Sequence, residues 1–432
     1  MVDAPTNAAE FMTSPLVQEN LWIVGAVIIG AIGAQALWLT VDFFRRAAHE
    51  NAQRARIAEL LELRLAAART HRAEQEKKSF SWAGWRKFEV KRREFADPSS
   101  QACSFYLAPH DGKPIPAFEP GQFLTFQLAI PGQAKPAVRC YSLSDSPRSD
   151  HYRVTIKRLP ARGDAPPGLA SNFFHDHIGE GDLVDVRAPS GRFFLDMTHD
   201  TPVVLLAAGV GITPVLCMLN AIVDSGSSRE TWFLFGVRHG DEHIMREHLD
   251  RVAREHENVH LHVCYSNPRD GVDVRGTDYH HSGYVSTELL RELLPSSNYD
   301  FYMCGPPPMM DSLTEGLLEW GVPEERVHFE KFGPAPGKPK PKPDTSAKGP
   351  PVTFKKSGRT IPWDAAFEHV WDFAAANGVE IDSGCLEGNC GSCMTAILSG
   401  EVTYADEPSF PYEKGTCLTC SCVPNGPLEL DA

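Results

Sequence analysis

The run Cys385-Leu386-Glu387-Gly388-Asn389-Cys390-Gly391-Ser392-Cys393, answered by Cys417-Leu418-Thr419-Cys420, decides the fold of the C-terminal part of the chain. Three cysteines at C-x4-C-x2-C with a fourth further on have the ligand spacing of a [2Fe–2S] cluster. Two irons and two sulfides need four thiolates converging from two directions. One short loop supplies three of them only if its backbone is small and bent. Gly384, Gly388 and Gly391 permit positive φ and close approach of amides to the sulfurs, and such amide hydrogen bonds tune the reduction potential. A structural zinc site is the competing reading, but zinc ligands usually come as paired C-x2-C units. Cys417, Cys420 and Cys422 compete for the fourth position.

Around this loop, residues 352–432 carry a strand at 352–355, a helical stretch at 365–377 and a strand at 395–402. Cys420-Ser421-Cys422-Val423-Pro424 resembles the ferredoxin ending in which a proline follows the last ligand by four. That resemblance selects Cys385, Cys390, Cys393 and Cys420, and the order of elements is similar to the α+β β-grasp ferredoxin fold. Residues 334–351, PAPGKPKPKPDTSAKGPP, form a Pro/Lys-rich linker with no large aliphatic or aromatic side chains to build a core.

Further toward the N-terminus, Pro202-Val203-Val204-Leu205-Leu206-Ala207-Ala208 is a continuous apolar run, as a strand buried on both faces requires. It enters Gly209-Val210-Gly211-Ile212-Thr213-Pro214 and an apolar helix, so a strand, a glycine turn and a helix N-terminus form a pyrophosphate cradle. The third glycine of the dehydrogenase fingerprint is absent. Strands at 231–236, 259–265 and 300–304 continue a βα alternation and predict an α/β domain with a parallel sheet over 198–333. The last of these strands runs into Cys304-Gly305-Pro306-Pro307-Pro308-Met309-Met310. Residues 82–197 read differently, as short β runs (87–91, 104–108, 123–129, 152–157, 183–187) divided by Pro and Gly, which predicts an antiparallel β-barrel.

Within the barrel, Arg139-Cys140-Tyr141-Ser142 resembles the RxYS motif of the ferredoxin–NADP reductase superfamily. Pro120-Gly121-Gln122-Phe123, Val154-Thr155-Ile156-Lys157-Arg158 and Gly168-Leu169-Ala170-Ser171-Asn172 are similar to elements of flavohaemoglobin-type reductase modules. The runs at Gly209 and Cys304 resemble the superfamily's GxGxTP and CGP elements. This resemblance covers about residues 82–432 and implies a flavin domain, a nicotinamide domain and a ferredoxin.

It also implies roles. Arg139 suits a pyrophosphate, Tyr141 offers its face to the isoalloxazine, and the Ser142 hydroxyl reaches toward flavin N5. Ile156 and Lys157 line the flavin, and Gly168 and Ser171 hold a phosphate at a helix N-terminus. Gly209, Gly211, Thr213, Pro214, Cys304, Gly305 and Pro306 hold the nucleotide, and Phe332 covers the flavin or the nicotinamide pocket. Ser142, Thr213, Cys304 and Glu330 form the implied catalytic set. The Gly-x-x-Ser element favours FAD, while FMN is the alternative because relatives of phthalate dioxygenase reductase share this domain order. Arg238, just after a strand, meets either a 2′-phosphate of NADPH or a surface carboxylate, and NADH is the expectation. His175 and His177, flanking Asp176, are read as surface or packing residues.

Residues 20–41 contain no charge, with Trp22 and Trp38 near the ends, and about 33 Å of helix spans a bilayer core. Acids precede the run and Arg45, Arg46, Arg54 and Arg56 follow it, so a transmembrane helix after an outside tail (1–19) is expected, with later domains cytoplasmic. A cleaved signal peptide needs a basic leader and a shorter apolar run. The small residues Gly25 and Gly33 around Ile29 suit a partner helix or ordinary membrane-helix composition. Residues 42–81, rich in Ala, Arg, Glu and Leu, read as a helical stalk. The net charge of −14 over 432 residues, without a basic patch interleaved with aromatics, argues against a nucleic-acid partner. Eleven cysteines without a disulfide pattern favour a reducing compartment.

The multidomain order implies a membrane-anchored reductase passing electrons from NAD(P)H to flavin, to the cluster, and to an acceptor such as a membrane oxygenase, hydroxylase, desaturase or Rieske protein. The flavin subunit of the Na⁺-pumping NADH:quinone reductase combines similar parts, but there the ferredoxin precedes the flavin domain. A non-catalytic membrane scaffold is the remaining alternative, against which the intact motifs speak.

Overall fold

Six strands, β1 (Arg86–Phe95), β2 (Ala102–Pro109), β3 (Phe123–Leu128), β4 (Ala137–Ser142), β5 (Tyr152–Lys157) and β6 (Leu183–Val186), pair antiparallel in the order β4-β3-β6-β1-β2-β5. A bridge between Leu143 and Val154 joins the two outer strands and closes the sheet, so neither edge is left open. Phe88, Phe105, Phe126 and Val154 fill the interior together with Phe174 from the helix at Leu169–His177. The Arg139–Ser142 motif lies on β4 itself, whose polar and small residues gave no apolar run to mark it as a strand. The computed structural model describes residues 22–46, 81–82, 84–133, 135–161, 166–330, 332, 349–384, 386, 388, 390–404, 408, 410 and 412–432.

The next six strands, β7 (Val203–Ala208), β8 (Thr231–Val237), β9 (Val259–Tyr265), β10 (His281–Ser282), β11 (Asp300–Cys304) and β12 (Val327–Glu330), form a parallel sheet in the order β10-β9-β8-β7-β11-β12. Both faces are covered. Leu205, Val215 and Phe235 pack on one side, and Val204, Leu234, Leu290 and Met310 on the other. The chain builds outward from β7 in both directions, so strand order reverses between β7 and β11. The crevice beyond the carboxyl ends of those two strands is where such sheets bind ligands.

The C-terminal unit is a mixed sheet of β13 (Pro351–Phe354), β14 (Arg359–Pro362), β15 (Met394–Ser399), β17 (Thr416–Leu418) and β19 (Leu428–Leu430), in the order β14-β13-β19-β15-β17, with β16 (Val402–Tyr404) paired to β18 (Cys422–Pro424). Its helix is shorter than the sequence suggests, running only over Val370–Ala376. The strand expected at 395–402 is two strands, because Gly400 turns the chain at φ +91° where an added Cβ would overlap the Pro427 carbonyl. Val352, Phe354, Phe373 and Leu430 form the core.

A separate N-terminal unit contains a helix over Trp22–Arg46, 25 residues long and apolar enough to cross a membrane. Asp42 and Arg46 form an i,i+4 ion pair of 2.8 Å at its end. The stalk expected beyond it, from residue 47 to 80, lies outside the described residues.

Candidate functional site

The first determinant of the site is the helix Ile212–Asp224, whose flanks are shared by two cores. Ile212, Val215 and Leu219 pack under the parallel sheet, while Cys217 belongs to the barrel interior. Polar contacts fasten the same helix to the barrel loop after β4. Cys217 Sγ donates to the Asp145 carbonyl at 2.9 Å, and Asn220 Nδ2 donates to the Asp145 carboxylate at 2.9 Å. Burial pushes the Cys217 thiol up to about 12. Asp145 also pairs with the buried Arg153 at 3.6 Å.

At the switch point, Ala207 of β7 stands beside Cys304 of β11. Gly211 lies so close that a Cβ there would overlap the Cys304 carbonyl oxygen and stand 2.5 Å from its carbon. The two glycine-containing turns therefore touch only because residue 211 has no side chain. Gly209 takes φ +54°, and the buried Thr213 donates to the Val210 carbonyl at 3.1 Å, tying the turn to the helix that follows. Pro214 lies buried in that helix's first turn. A Cβ at Gly305 would stand 3.0 Å from Met309 Sδ, and Pro306 caps the helix Pro307–Glu319, whose first turn accepts Pro307 without losing a hydrogen bond.

Three strand ends meet beside these turns. Glu330, the last residue of β12, is the register partner of Cys304. Its carboxylate accepts a hydrogen bond of 3.1 Å from the Ser142 hydroxyl at the end of β4, across 188 residues of sequence. Both side chains are buried, and Cys304 is wholly so. Tyr141 stacks edge-on against Phe174 at 5.4 Å and Phe126 at 5.7 Å, and burial raises its hydroxyl. Arg139, two residues back and therefore on the same face of β4, is exposed and donates to the neighbouring Val138 carbonyl. Phe332 is 40 % exposed.

The remaining barrel residues divide. Ile156 is buried, and its carbonyl accepts from His175 Nε2 at 2.9 Å, so His175 is a packing residue. Lys157 reaches instead to Glu242 of the neighbouring unit at 3.2 Å, and Arg238 grips the same carboxylate. Burial opposes ionisation of Glu242, but the two cations outweigh it and hold the carboxyl below its ordinary range. Gly168 caps the helix Leu169–His177, and Ser171 Oγ receives the Leu159 N–H at 3.3 Å, leaving both on the rim of that helix's N-terminus.

In the C-terminal unit, Cys393 and Cys420 lie with sulfurs 3.0 Å apart, both buried, and the Gly388 N–H points at Cys420 Sγ from 3.3 Å. Cys390 Sγ is 3.3 Å from Ser392 Oγ. Cys417 and Cys422 are placed otherwise: they hydrogen-bond one another inside the β-sheet core and are fully buried. Cys385 lies outside the described residues. Converging thiols with a backbone donor fit an iron–sulfur cluster, whose sulfurs accept such bonds.

Sequence reasoning missed three residues. Glu242 and Asp145 anchor neighbours only through tertiary contacts, and no motif marks them. Arg187 follows β6, and its guanidinium donates to the carbonyl of Cys390. A lone cation closing an apolar strand was the only signal for it.

The family model for an oxidoreductase NAD-binding domain matches residues 205–315, and that for a 2Fe-2S iron-sulfur cluster binding domain matches residues 352–425. A flavohemoprotein of Halalkalibacterium halodurans is 42 % identical over 257 residues, covering 58 % of this chain and 61 % of the relative. The chain thus spans about three-fifths of the length of the curated relatives it matches. The flavohem-like FAD/NAD binding domain of nitric oxide dioxygenase from Vibrio cholerae is similar at 30 % identity, TM-score 0.52, covering 58 % of this chain and all of that one. Phthalate dioxygenase reductase is similar at 26 % identity, TM-score 0.50, covering 81 % of this chain and 98 % of that one. With the two turns at the switch point, the closed flavin-type barrel and the thiol-bearing C-terminal sheet, these matches place the chain in the ferredoxin–NADP reductase superfamily, as an NAD(P)H-dependent flavin electron-transfer oxidoreductase carrying a C-terminal [2Fe–2S] domain.

Proposed function

We propose that the protein is a membrane-anchored reductase that takes electrons from NADH through FAD and a [2Fe–2S] cluster to an oxygenase, hydroxylase or desaturase at the membrane. The observation that carries this reading is the meeting of three strand ends at Ser142, Cys304 and Glu330, two of them from the nicotinamide sheet and one from the barrel. FAD bound here would supply two-electron acceptance from NADH and one-electron release to the cluster. Ser142 donates its hydroxyl proton to the Glu330 carboxylate beside the end of β11, and would hold that proton near the flavin when it is bound. Cys304 and Gly211 shape the floor under the nicotinamide, while Gly209, Thr213, Pro214, Gly305 and Pro306 hold the two turns in place. Tyr141 supports the flavin ring. Arg139, Gly168 and Ser171 offer a cation and a helix N-terminus to its phosphates, Ile156 and the backbone of Lys157 line its edge while the Lys157 ammonium stays with Glu242, and Phe332 covers the pocket. Arg238 is committed to Glu242, which supports NADH over NADPH.

Cys385, Cys390, Cys393 and Cys420 are the cluster ligands in this reading. The pairing of Cys417 with Cys422 in the core supports Cys420 over either. The N-terminal helix, with arginines following it, supports a single span with the N-terminus outside and the reductase in the cytoplasm. The test is an anaerobic titration with NADH, and separately NADPH, followed by absorbance and electron paramagnetic resonance. Flavin bleaching followed by a reduced [2Fe–2S] signal is expected. It should be retained in Cys417→Ser and Cys422→Ser and lost in Cys420→Ser. Flavin bleaching with no cluster signal overturns the internal chain, and no bleaching overturns the reductase reading.

A further inference from the structure

We infer that Arg187 is the positioning residue that docks the cluster loop onto the flavin barrel and sets the rate of flavin-to-cluster electron transfer. The inference rests on the electron-transfer reading above, and goes beyond it in naming the contact that joins the second and third centres. Arg187 is fixed at both ends. Its backbone N–H donates to the Thr125 carbonyl at 2.9 Å, continuing the sheet at the end of β6, and Thr125 is the register partner of Cys140 in the strand bearing Tyr141 and Ser142. Its side chain leaves the barrel and donates to the carbonyl of Cys390, 203 residues away in the cluster loop.

Aromatic rings cover the guanidinium from both units. Its central carbon lies 4.4 Å from the Trp85 ring, on the barrel side, and 5.3 Å from the Phe410 ring, on the cluster side. A planar cation between two aromatic faces gains from both and from its hydrogen bond, and a lysine cannot reproduce that arrangement. Nε has no partner among the described residues, so the group is held here against a desolvation penalty that a purely decorative surface arginine would avoid by turning to solvent. An ion pair across the same boundary, Lys135 to Asp382 at 3.6 Å, is largely exposed and contributes little.

Two consequences follow from the position. The hydrogen bond fixes the loop that carries Cys390 and Cys393 relative to the strand bearing Tyr141. The positive charge beside the loop also favours the reduced cluster, which carries one more negative charge than the oxidised one. The step it serves makes and breaks no bond between heavy atoms. The two electrons of one hydride leave one at a time to oxidised clusters, and the proton is released to solvent.

The experiment compares full-length protein with Arg187→Gln and Arg187→Lys, each checked for flavin and iron content. Stopped-flow mixing with NADH separates flavin bleaching from cluster reduction, and a redox titration read by paramagnetic resonance gives the cluster potential. Amide exchange of residues 388–393 reports docking without turnover. Arg187→Gln is expected to leave flavin bleaching unchanged, slow cluster reduction about tenfold, and raise amide exchange in the loop. It should also lower the cluster potential by about 59 mV, a tenfold change in a one-electron equilibrium. Arg187→Lys should recover the potential but not the docking. Unchanged cluster reduction and unchanged exchange in Arg187→Gln overturn the proposal. Wild-type protein that bleaches without ever reducing its cluster overturns the parent reading instead. Should Arg187→Gln fail to load its cluster, Trp85→Leu removes one ring from the barrel side without touching the cluster loop. Slower cluster reduction with unchanged bleaching is then expected, and an unchanged rate overturns the proposal.

Discussion

The barrel meets its two neighbours in very different ways. Toward the nicotinamide sheet it shares a helix: Cys217 lies in the barrel core, Asn220 and Cys217 hold Asp145, and Ser142 reaches Glu330. Toward the cluster unit, among the described residues, one guanidinium and one exposed ion pair cross the boundary. The difference matches the chemistry each junction serves. Hydride transfer needs donor and acceptor atoms about 3–3.5 Å apart and aligned, so the surfaces on either side must be locked together. An electron moves between centres that need not touch, so a single well-placed contact suffices and a more easily parted junction is tolerated.

The comparison breaks most sharply at the locked side. Gly211→Ala pushes a methyl group into the Cys304 carbonyl, so flavin bleaching by NADH should fall by about tenfold or more, while chemical reduction of the cluster stays intact. Asp145→Ala leaves the buried Arg153 without its carboxylate and Asn220 without its acceptor. Denaturant unfolding should then show a loss of about 3 kcal/mol, and flavin bleaching should slow as the helix loosens.

A smaller effect comes from pH. His243 is almost fully buried beside Tyr265, and burial lowers it to about 3. The unfolded chain binds that proton near pH 6.5, so the unfolded state carries more protons between about pH 3 and 6.5. Stability is therefore complete above that window and falls as pH drops into it, by about 2 kcal/mol at pH 5. Thermal melts at pH 7 and 5 should show at least this loss, and His243→Phe should remove only its own share, because burial also lowers His262, to about 4. The smallest expected effect is at the weak junction. Lys135→Ala should change stability by less than about 0.5 kcal/mol and leave cluster reduction within experimental scatter, which isolates Arg187 as the working contact.

What could be read from the sequence was what is local. The cysteine spacing, the glycine turn after β7 and the apolar strands are set by neighbours a few residues apart; among the described residues the glycine turn lies at the switch point, the apolar strands form the parallel sheet, and Cys390 and Cys393 lie on a loop before β15. The pairings of Ser142 with Glu330 and of Arg187 with Cys390 join residues 188 and 203 positions apart, and although motifs mark Ser142 and Cys390, nothing local says which residue each one meets. β12 escaped notice because Val327–Glu330 is four residues long and half polar. Lys157 shows the converse: its motif marks a cofactor contact, yet the fold provides Glu242 within reach and the ammonium takes it.

The shared flank of the helix Ile212–Asp224 has a further consequence for how such proteins can be recombined. A chimera that cuts between barrel and nicotinamide sheet exposes Cys217 and severs a core, so those two units must be exchanged as one block. Among the described residues the cluster unit, preceded by a Pro/Lys-rich sequence, is held by the Arg187 guanidinium and one exposed ion pair, and can be replaced by another electron carrier that presents a carbonyl and an aromatic ring to Arg187. The useful cloning boundary therefore lies between residues 333 and 351, not at residue 198.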